Sequence, residues 1–315
     1  MKFEFNHSII WGISLLISLL ICPLLPGIIN KVKAFFAGRR GPRLLQLYYD
    51  LGKLLCKGAV FSHTTSGVLQ LAPVVSLAGL GGCILLFPFG CAASPLAFTG
   101  DVILFAYLLA LGRVLTVLGA LDTGSSFEGM GASREIEFSA LAEGALFTVI
   151  AFLILITGHF SLSDMLIGFE TNQWLRFCAP MPLIFGAFGL VLLTEACRVP
   201  VDDPETHLEL TMIHEAMILD YGGPDMALIE YGAALKLWLL SSIAVLLVLP
   251  VPGSSMFWNI LLYFGGVFLM AILIGITESV TARFRMLKVP RMLTGALGFA
   301  LIAILWIRIF RGGLL

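Results

Sequence analysis

Charged residues are scarce in this chain. They make up 12% of its 315 residues, whereas an ordinary soluble domain carries roughly 25%. Hydrophobic residues reach 59%, which is more apolar surface than a soluble fold of this size can bury, so the solvent is expected to be lipid. A formal net charge of −1 gives no reason to expect nucleic acid as a partner. The sequence therefore predicts one membrane domain, residues 1–315, without a soluble appendage.

The chain also lacks the residue spacings of metal and cofactor sites. Its six cysteines are scattered, with no C-x-x-C pair and no iron–sulfur spacing. His214-Glu215 resembles the start of an H-E-x-x-H zinc helix, but residue 218 is Ile, so the second histidine is missing. There is no P-loop and no G-x-S-x-G nucleophile motif. We therefore expect no metal and no cofactor in this chain, and we expect any redox centre to lie in other subunits.

Long apolar runs, by contrast, recur evenly along the sequence. A transmembrane helix needs about 20 mainly apolar residues, and eight segments qualify. They are residues 8–30, 67–90, 101–121, 138–158, 176–197, 226–250, 256–280 and 292–311. The first has no small-residue cleavage site after it, so we interpret it as a retained helix. The predicted fold class is all-α, a polytopic membrane protein with about eight transmembrane helices.

The first loop contains an amphipathic segment. Between Pro42 and Lys57, leucines and Tyr48 recur at helical spacing, opposite a polar face. This pattern is typical of a basic helix that lies in the membrane interface. A plain positively charged loop is the alternative interpretation.

Lysine and arginine predict the orientation of the chain in the membrane. Thirteen of them fall in the loops at 31–66, 122–137, 198–225 and 281–291, and four fall on the opposite side. Because cytoplasmic loops carry the excess of basic residues, these loops are predicted to be cytoplasmic and both termini to lie outside. The expected location is the inner (cytoplasmic) membrane of the cell.

Six ionisable residues lie within or close to the apolar spans: Arg113, Glu137, Glu143, Glu195, Lys236 and Glu278. A charge at the bilayer centre costs about 2.5–3.5 kcal/mol on insertion scales, so such residues are rare and usually functional. Glu137 is expected at the interface, where its span begins. A proton or ion pathway is the favoured interpretation, and ion pairs that only specify helix packing are the alternative.

The fifth loop is strongly acidic. It holds seven acids between Arg198 and Asp225, among them Asp202. Pro204 suits the first turn of a helix, which would place Glu205 and Glu209 one turn apart on the same face. Two carboxylates that close repel each other, so one is expected to hold its proton near neutral pH. A solvated acidic loop without function is the alternative.

Several segments together resemble complex I subunit 1 and its relatives in membrane-bound group 4 NiFe hydrogenases. Arg39-Arg40-Gly41-Pro42 is similar to the segment after the family's first span, and Arg134 with Glu143 to its Arg…Ser-Tyr-Glu pattern. The family's fifth-loop motif matches Glu195-Ala-Cys-Arg-Val-Pro-Val-Asp-Asp-Pro-Glu-Thr-His-Leu-Glu-Leu210, and its turn before the last span matches Ala282-Arg-Phe-Arg285. The resemblance runs from about residue 10 to residue 311.

Residues 122–135 resemble the hydrogenase-4 and formate hydrogenlyase branch of this family. Three departures from complex I agree with that branch: Val201 replaces a Phe, His207 replaces a Glu, and Asp220-Tyr-Gly-Gly stands three residues later than expected. These departures argue against a complex I-like quinone tunnel.

The resemblance implies a membrane anchor and coupling subunit. Hydrogenase-like large and small subunits and an iron–sulfur subunit would dock on the cytoplasmic face, and antiporter-like subunits would lie beside it in the membrane. The NiFe centre and the clusters would belong to these partners. Docking would involve a set of basic residues: Arg39, Arg40, Arg134, Arg198, Arg283 and Arg285.

The implied proton pathway begins at the fifth loop. Glu205 and Glu209, with Asp202 nearby, would receive protons at the entrance. Glu143 would be the buried relay, with Glu195, Lys236 and Arg113 setting its field, and Glu278 would be a further buried acid.

Two rival functions remain open. The chain could be the quinone-site subunit of a complex I-like oxidoreductase, which quinone-dependent activity of the purified complex would favour. It could also be a stand-alone secondary transporter, but broken helices and repeat symmetry near the midplane would then be expected, and we see no such symmetry.

The predicted orientation can be tested by cysteine labelling. Ser62→Cys and Thr281→Cys fall in loops predicted to be cytoplasmic, so a membrane-impermeant thiol reagent added to sealed cells should not label them. Labelling should appear once the membrane is opened. Efficient labelling of sealed cells would reverse the orientation and move the docking face to the outside.

Overall fold

The computed structural model describes residues 2–90, 92–168, 177–202, 212–249 and 256–312. These residues are mainly helical, with one isolated β-bridge between Phe89 and Ala92. The helices in chain order are α1 Lys2–Ile21, α2 Leu24–Phe36, α3 Gln46–Leu55, α4 Gly67–Leu86, α5 Asp101–Asp122, α6 Ser126–Thr157, α7 Leu162–Ile167, α8 Met181–Glu195, α9 His214–Met217, α10 Gly223–Val248, α11 Met256–Val280 and α12 Val289–Gly312. A short 3₁₀ helix, Met286–Lys288, precedes α12.

The predicted all-α polytopic fold is confirmed. Within the described residues, six helices are long and apolar enough to cross a membrane: α4, α5, α6, α10, α11 and the stretch that ends in α12. The bent pair α1 and α2 passes the same test when its two halves are taken as one span. The fifth predicted span, 176–197, corresponds to α8, which is apolar but has only 15 residues.

Helix lengths depart from the predicted spans in two places. With 15 residues, α8 is about 22 Å long, shorter than a hydrocarbon core of about 30 Å. The 32 residues of α6 extend about 48 Å, so this helix projects well beyond such a core. The prediction of a non-helical third loop at 122–137 is therefore wrong from Ser126 onward. Helix α6 begins at that residue, after a turn at Gly124, whose φ is +69°.

The amphipathic segment of the first loop forms α3, which is shorter than the predicted stretch 42–57. Its apolar residues are not covered by the rest of the chain, since Tyr49 and Leu55 are more than half exposed. Gln46 and Asp50 lie one turn apart and are joined by an amide–carboxylate hydrogen bond of 3.0 Å. An uncovered apolar face opposite a hydrogen-bonded polar face is the form that an interfacial helix takes.

Helix α10 forms the centre of the bundle. In its most apolar 18-residue stretch 78% of the residues are buried, against 28–39% in the other five candidate spans, so the others face lipid and α10 does not. The largest buried side chain is that of Trp238, whose ring lies 5.8 Å from Phe264 and 6.5 Å from Phe268 of α11. Around α10 pack α3, α4, α8 and α11, while α12 packs on α6 and α8.

The first span bends by 48° between α1 and α2. Pro23 lies at the break, and a proline has no N–H to donate and crowds the carbonyl four residues before it, here that of Leu19. Two tyrosines compensate. The Tyr231 hydroxyl of α10 donates to the Leu19 carbonyl at 2.9 Å, and the Tyr48 hydroxyl of α3 donates to the Leu20 carbonyl. The bend therefore joins the first span to both the interfacial helix and the central helix.

Tyr231→Phe tests this account of the bend. The change leaves the Leu19 carbonyl with only the weak Cys22 thiol donor at 3.4 Å, so we expect the free energy of unfolding to fall by about 1 kcal/mol. Thermal unfolding of the assembled protein in detergent measures the effect. Tyr107→Phe, on an exposed side chain of α5, is the matched control. Equal transition temperatures for Tyr231→Phe and the control would show that the bend does not depend on this bond.

Candidate functional site

A buried arginine joins three helices through three carboxylates. Arg113 of α5 contacts Glu143 and Glu195 through its two terminal nitrogens, and its Nε lies 3.5 Å from Glu135 Oε1. The Arg113 side chain is 8% exposed. A guanidinium stays charged in proteins and offers five donors in a planar fork, so it can hold several carboxylates at once. The arrangement fixes α5 against α6, which carries Glu135 and Glu143, and against the end of α8, which carries Glu195.

Lys236 of α10 completes the group. Its Nζ lies 2.8 Å from Glu195 Oε2, so Glu195 contacts both cations while its side chain is only 4% exposed. We call these five residues the Arg113 cluster. Two cations face three carboxylates, which gives a formal charge of −1 if every carboxyl is ionised. An uncompensated charge in a low-dielectric interior is costly, so the cluster favours binding one further positive charge.

Glu135 was not singled out from the sequence. It fell in the segment interpreted as the third loop, whereas it lies in the second to third turn of α6. Among the described residues its carboxylate contacts only Arg113 Nε, at a distance beyond a good hydrogen bond. A helical interpretation of residues 126–157 would have found it, since eight residues separate it from Glu143, close to two full turns.

Glu143 differs from expectation in its exposure. It was predicted to be truly buried, yet its side chain is 37% exposed even though it bonds to Arg113. By contrast, Glu195 is buried as deeply as any acid of the cluster. The three acids therefore differ in solvation and in the number of cations that they contact.

One cavity adjoins the Arg113 cluster, and a second cavity lies next to the first. The inner cavity, of about 100 Å³, is lined by Arg113, Glu135, Glu195 and Lys236. The outer cavity, of about 250 Å³, lies between α2, α3 and α10 and is lined by Asp50 and other polar residues. The two share part of their walls: Ala196, Cys197, His214, Ile229 and Ala233. The outer cavity therefore lies on the side of the interfacial helix, separated from the inner cavity by these shared residues.

Asp202 holds the two described ends of the fifth loop together. One of its oxygens lies 2.6 Å from an Arg283 terminal nitrogen, and the other accepts the backbone N–H groups of Ile213 and His214 at 3.2 and 3.1 Å. The Phe284 N–H donates to the Pro200 carbonyl at 2.9 Å nearby. The loop is thereby attached to the turn before α12. Asp202 lies beside the cluster, because a small cavity of about 10 Å³ is lined by both Asp202 and Glu135.

The basic residues predicted for docking fall into two groups. Arg39, Arg40 and Arg285 are exposed, so docking through them stays a prediction. The other three contact groups of this chain, and docking through them also stays a prediction. Arg134 donates to the Met212 carbonyl at 3.0 Å, Arg283 contacts Asp202, and Arg198 is buried. Their charges hold the fifth loop in place.

Glu278 lies apart from the Arg113 cluster. Its carboxylate is fully buried between Lys33 of α2, at 3.2 Å, and Arg198, at 3.7 Å. It therefore joins α11 to the end of the first span and to the start of the fifth loop. The structure places it in the packing of these elements. The predicted entrance acids Glu205 and Glu209 lie outside the described residues.

Several known proteins are similar to this chain along nearly its whole length. Hydrogenase-4 component C of Escherichia coli is 32% identical over 302 residues, which cover 92% of each chain. Formate hydrogenlyase subunit 4 of the same organism is 29% identical and covers 92% of this chain and 95% of its own. A subunit of the NADH-quinone oxidoreductase of Anaplasma phagocytophilum is 26% identical, covering 91% and 90%. The resemblance to the hydrogenase-4 and formate hydrogenlyase branch is thus confirmed.

The fold is also found in a solved complex. A chain in the structure of an archaeal respiratory complex, the membrane-bound sulfane sulfur reductase, aligns with a TM-score of 0.76 at 18% identity, covering 95% of this chain and 99% of that one. A family model described as NADH dehydrogenase matches residues 9–308. Sequence motifs, architecture and near full-length matches agree, and the chain belongs to the NADH dehydrogenase family.

Proposed function

We propose that this chain is the membrane anchor and coupling subunit of a hydrogenase-4 or formate hydrogenlyase-like complex. It links cytoplasmic redox chemistry to the movement of protons or sodium ions in the inner membrane. The observation that carries the proposal is the excess negative charge of the Arg113 cluster. A cluster that serves only helix packing needs no carboxylate beyond those that balance its cations. A proton relay needs a further group that can bind and release a proton.

The site of the exchangeable proton is Glu135. Glu195 contacts two cations, and Glu143 is bonded to Arg113 and partly exposed. Glu135 has the weakest cation contact of the three and lines the inner cavity. A change in the charge of Glu135 changes the electrostatic field at Glu143, because both carboxylates contact the Arg113 guanidinium. A change of charge on one acid shifts the affinity of the other for protons.

The relatives and the exposed basic face support the proposed partners. Hydrogenase-like large and small subunits and an iron–sulfur subunit dock at Arg39, Arg40 and Arg285 on the cytoplasmic side, and antiporter-like subunits lie beside the chain in the lipid. The iron–sulfur clusters and the NiFe centre belong to those partners.

A quinone-binding function is the second candidate. The outer cavity, of about 250 Å³, lies between the first span, the interfacial helix and α10, and the chain is similar to a subunit of an NADH-quinone oxidoreductase. Quinone-dependent turnover of the purified complex that is lost when the cavity is filled, as by Ala233→Phe, would favour this function. Hydrogen-linked turnover without quinone favours the coupling function alone.

Glu143→Gln tests the coupling role. Glutamine keeps the size of the side chain and can still accept a hydrogen bond from Arg113, but it cannot ionise. We expect the complex to assemble normally and ion transport to fall at least about tenfold, with Glu143→Asp retaining part of it. Glu135→Gln should have an effect at least as large. The measurement is proton or sodium transport per turnover in proteoliposomes that contain the intact complex.

Glu137→Gln is the matched control, because Glu137 lies on the exposed side of the same helix between the two tested acids. It should transport at the normal rate. Unchanged transport with both Glu143→Gln and Glu135→Gln would remove the cluster from the pathway. The carboxylates would then serve helix packing, and only poor assembly would follow from their loss.

A further inference from the structure

His214 occupies the wall between the two cavities. It begins the short helix α9 within the fifth loop, and its backbone N–H donates to the Asp202 carboxylate at 3.1 Å. Of the five residues that line both cavities, only His214 and Cys197 carry ionisable side chains. Histidine is the group whose charge changes near neutral pH, so His214 is the wall residue suited to pass a proton.

The backbone of His214 is fixed at this point, whereas its imidazole ring takes no part in a structural hydrogen bond with the described residues. Among the described residues, neither of its ring nitrogens has a hydrogen-bond partner in the protein. Two nitrogens placed in a shared wall can face both cavities, one as an acceptor and one as a donor. The charged or titratable groups around it come from several elements: Glu215 next to it in the chain, Asp202 at its backbone N–H, Cys197 in the shared wall, Glu230 and Lys236 of α10, Arg113, Glu135 and Glu195 across the inner cavity, and Asp50, Arg43 and Arg198 across the outer cavity.

Burial and the surrounding charges together favour the neutral form of the imidazole. Burial lowers the pKa of His214 below its usual value, Lys236 lowers it further, and Asp202 and Glu230 oppose both effects. A neutral imidazole has a free lone pair that can accept a proton. Because the pKa is lowered, the imidazolium that forms is an acid strong enough to release its proton again.

We propose that His214 carries protons between the outer cavity and the Arg113 cluster. A proton that arrives through the outer cavity bonds to one ring nitrogen, and the imidazolium then releases a proton from the other nitrogen to the Glu135 carboxylate. The imidazole returns to its neutral form, Glu135 becomes a carboxylic acid, and one positive charge has moved inward. The proposal rests on the coupling function above and names the residue through which the cluster is loaded.

His214→Ala tests the proposal in the intact complex in proteoliposomes. Ion transport should fall about tenfold or more, and added imidazole should restore part of it, since the outer cavity can admit a small base. The restored rate should be higher at pH 7.5 than at pH 5.5, because only the neutral form of the added base accepts a proton. His63→Ala, on an exposed histidine of the first loop, controls for effects of imidazole elsewhere and should transport normally.

His214→Gln is the second variant, in case the alanine change disturbs assembly. Glutamine fills most of the space and keeps hydrogen bonding, but it cannot carry a proton, so transport should again be lost from a normally assembled complex. Normal transport in both variants, or a loss in His214→Ala that imidazole does not restore, would overturn the proposal and leave His214 a residue that positions α9.

The same assay separates this proposal from the function on which it rests. Glu135→Gln and Glu143→Gln measured in parallel decide whether the Arg113 cluster is needed at all. Their failure to transport, together with normal transport by the His214 variants, would overturn only the role of His214. Normal transport by the glutamate variants would overturn the coupling function itself.

Discussion

A permanently charged guanidinium inside a lipid-solvated bundle is the constraint on which the rest of the structure depends. Arg113 cannot lose its proton, so carboxylates must come to it, and they come from α6 and from the end of α8. Lys236 then brings α10, the central helix, to the same point. Removing one partner of a buried ion pair costs about 3–5 kcal/mol, so these four helices are held in one arrangement. The arrangement nevertheless leaves one negative charge in excess.

The fifth loop connects this cluster to the face that is predicted to be cytoplasmic. Asp202 attaches the loop to Arg283 and positions the first residues of α9, so the wall between the two cavities depends on a contact outside the cluster. The bend at Pro23 and the two tyrosines that satisfy its carbonyls bring α2 and α3 to the rim of the outer cavity. Any partner that moved the interfacial helix or the fifth loop would therefore alter access to the charged cluster. In the proposed coupling function, this is the physical means by which redox chemistry outside the membrane acts within it.

Much of this arrangement could be predicted from the sequence, because the membrane makes its signals strong. A run of 20 apolar residues has few alternatives to a spanning helix, and a charge within such a run is conspicuous, so Arg113, Glu143, Glu195 and Lys236 were all identified. Which of them meet depends on helix rotation and register, which hydropathy does not encode. Glu135 was missed because the first turns of α6 are polar, and a polar stretch between two spans resembles a loop. The positive-inside pattern includes Arg134, Arg198 and Arg283 whether these residues face partners or hold the fifth loop. Only the contacts in the structure distinguish these two roles.

The proposed coupling function requires that the Arg113 cluster holds a proton that it can exchange. Infrared difference spectroscopy on the intact complex measures this directly, through the C=O stretch of a protonated carboxyl group. At neutral pH the wild-type complex should show such a band, sensitive to deuterium oxide, which disappears in Glu135→Gln and persists in Glu137→Gln. A spectrum without a protonated carboxyl that depends on Glu135 or Glu143 would contradict the claim, because the excess charge would then be compensated in another way.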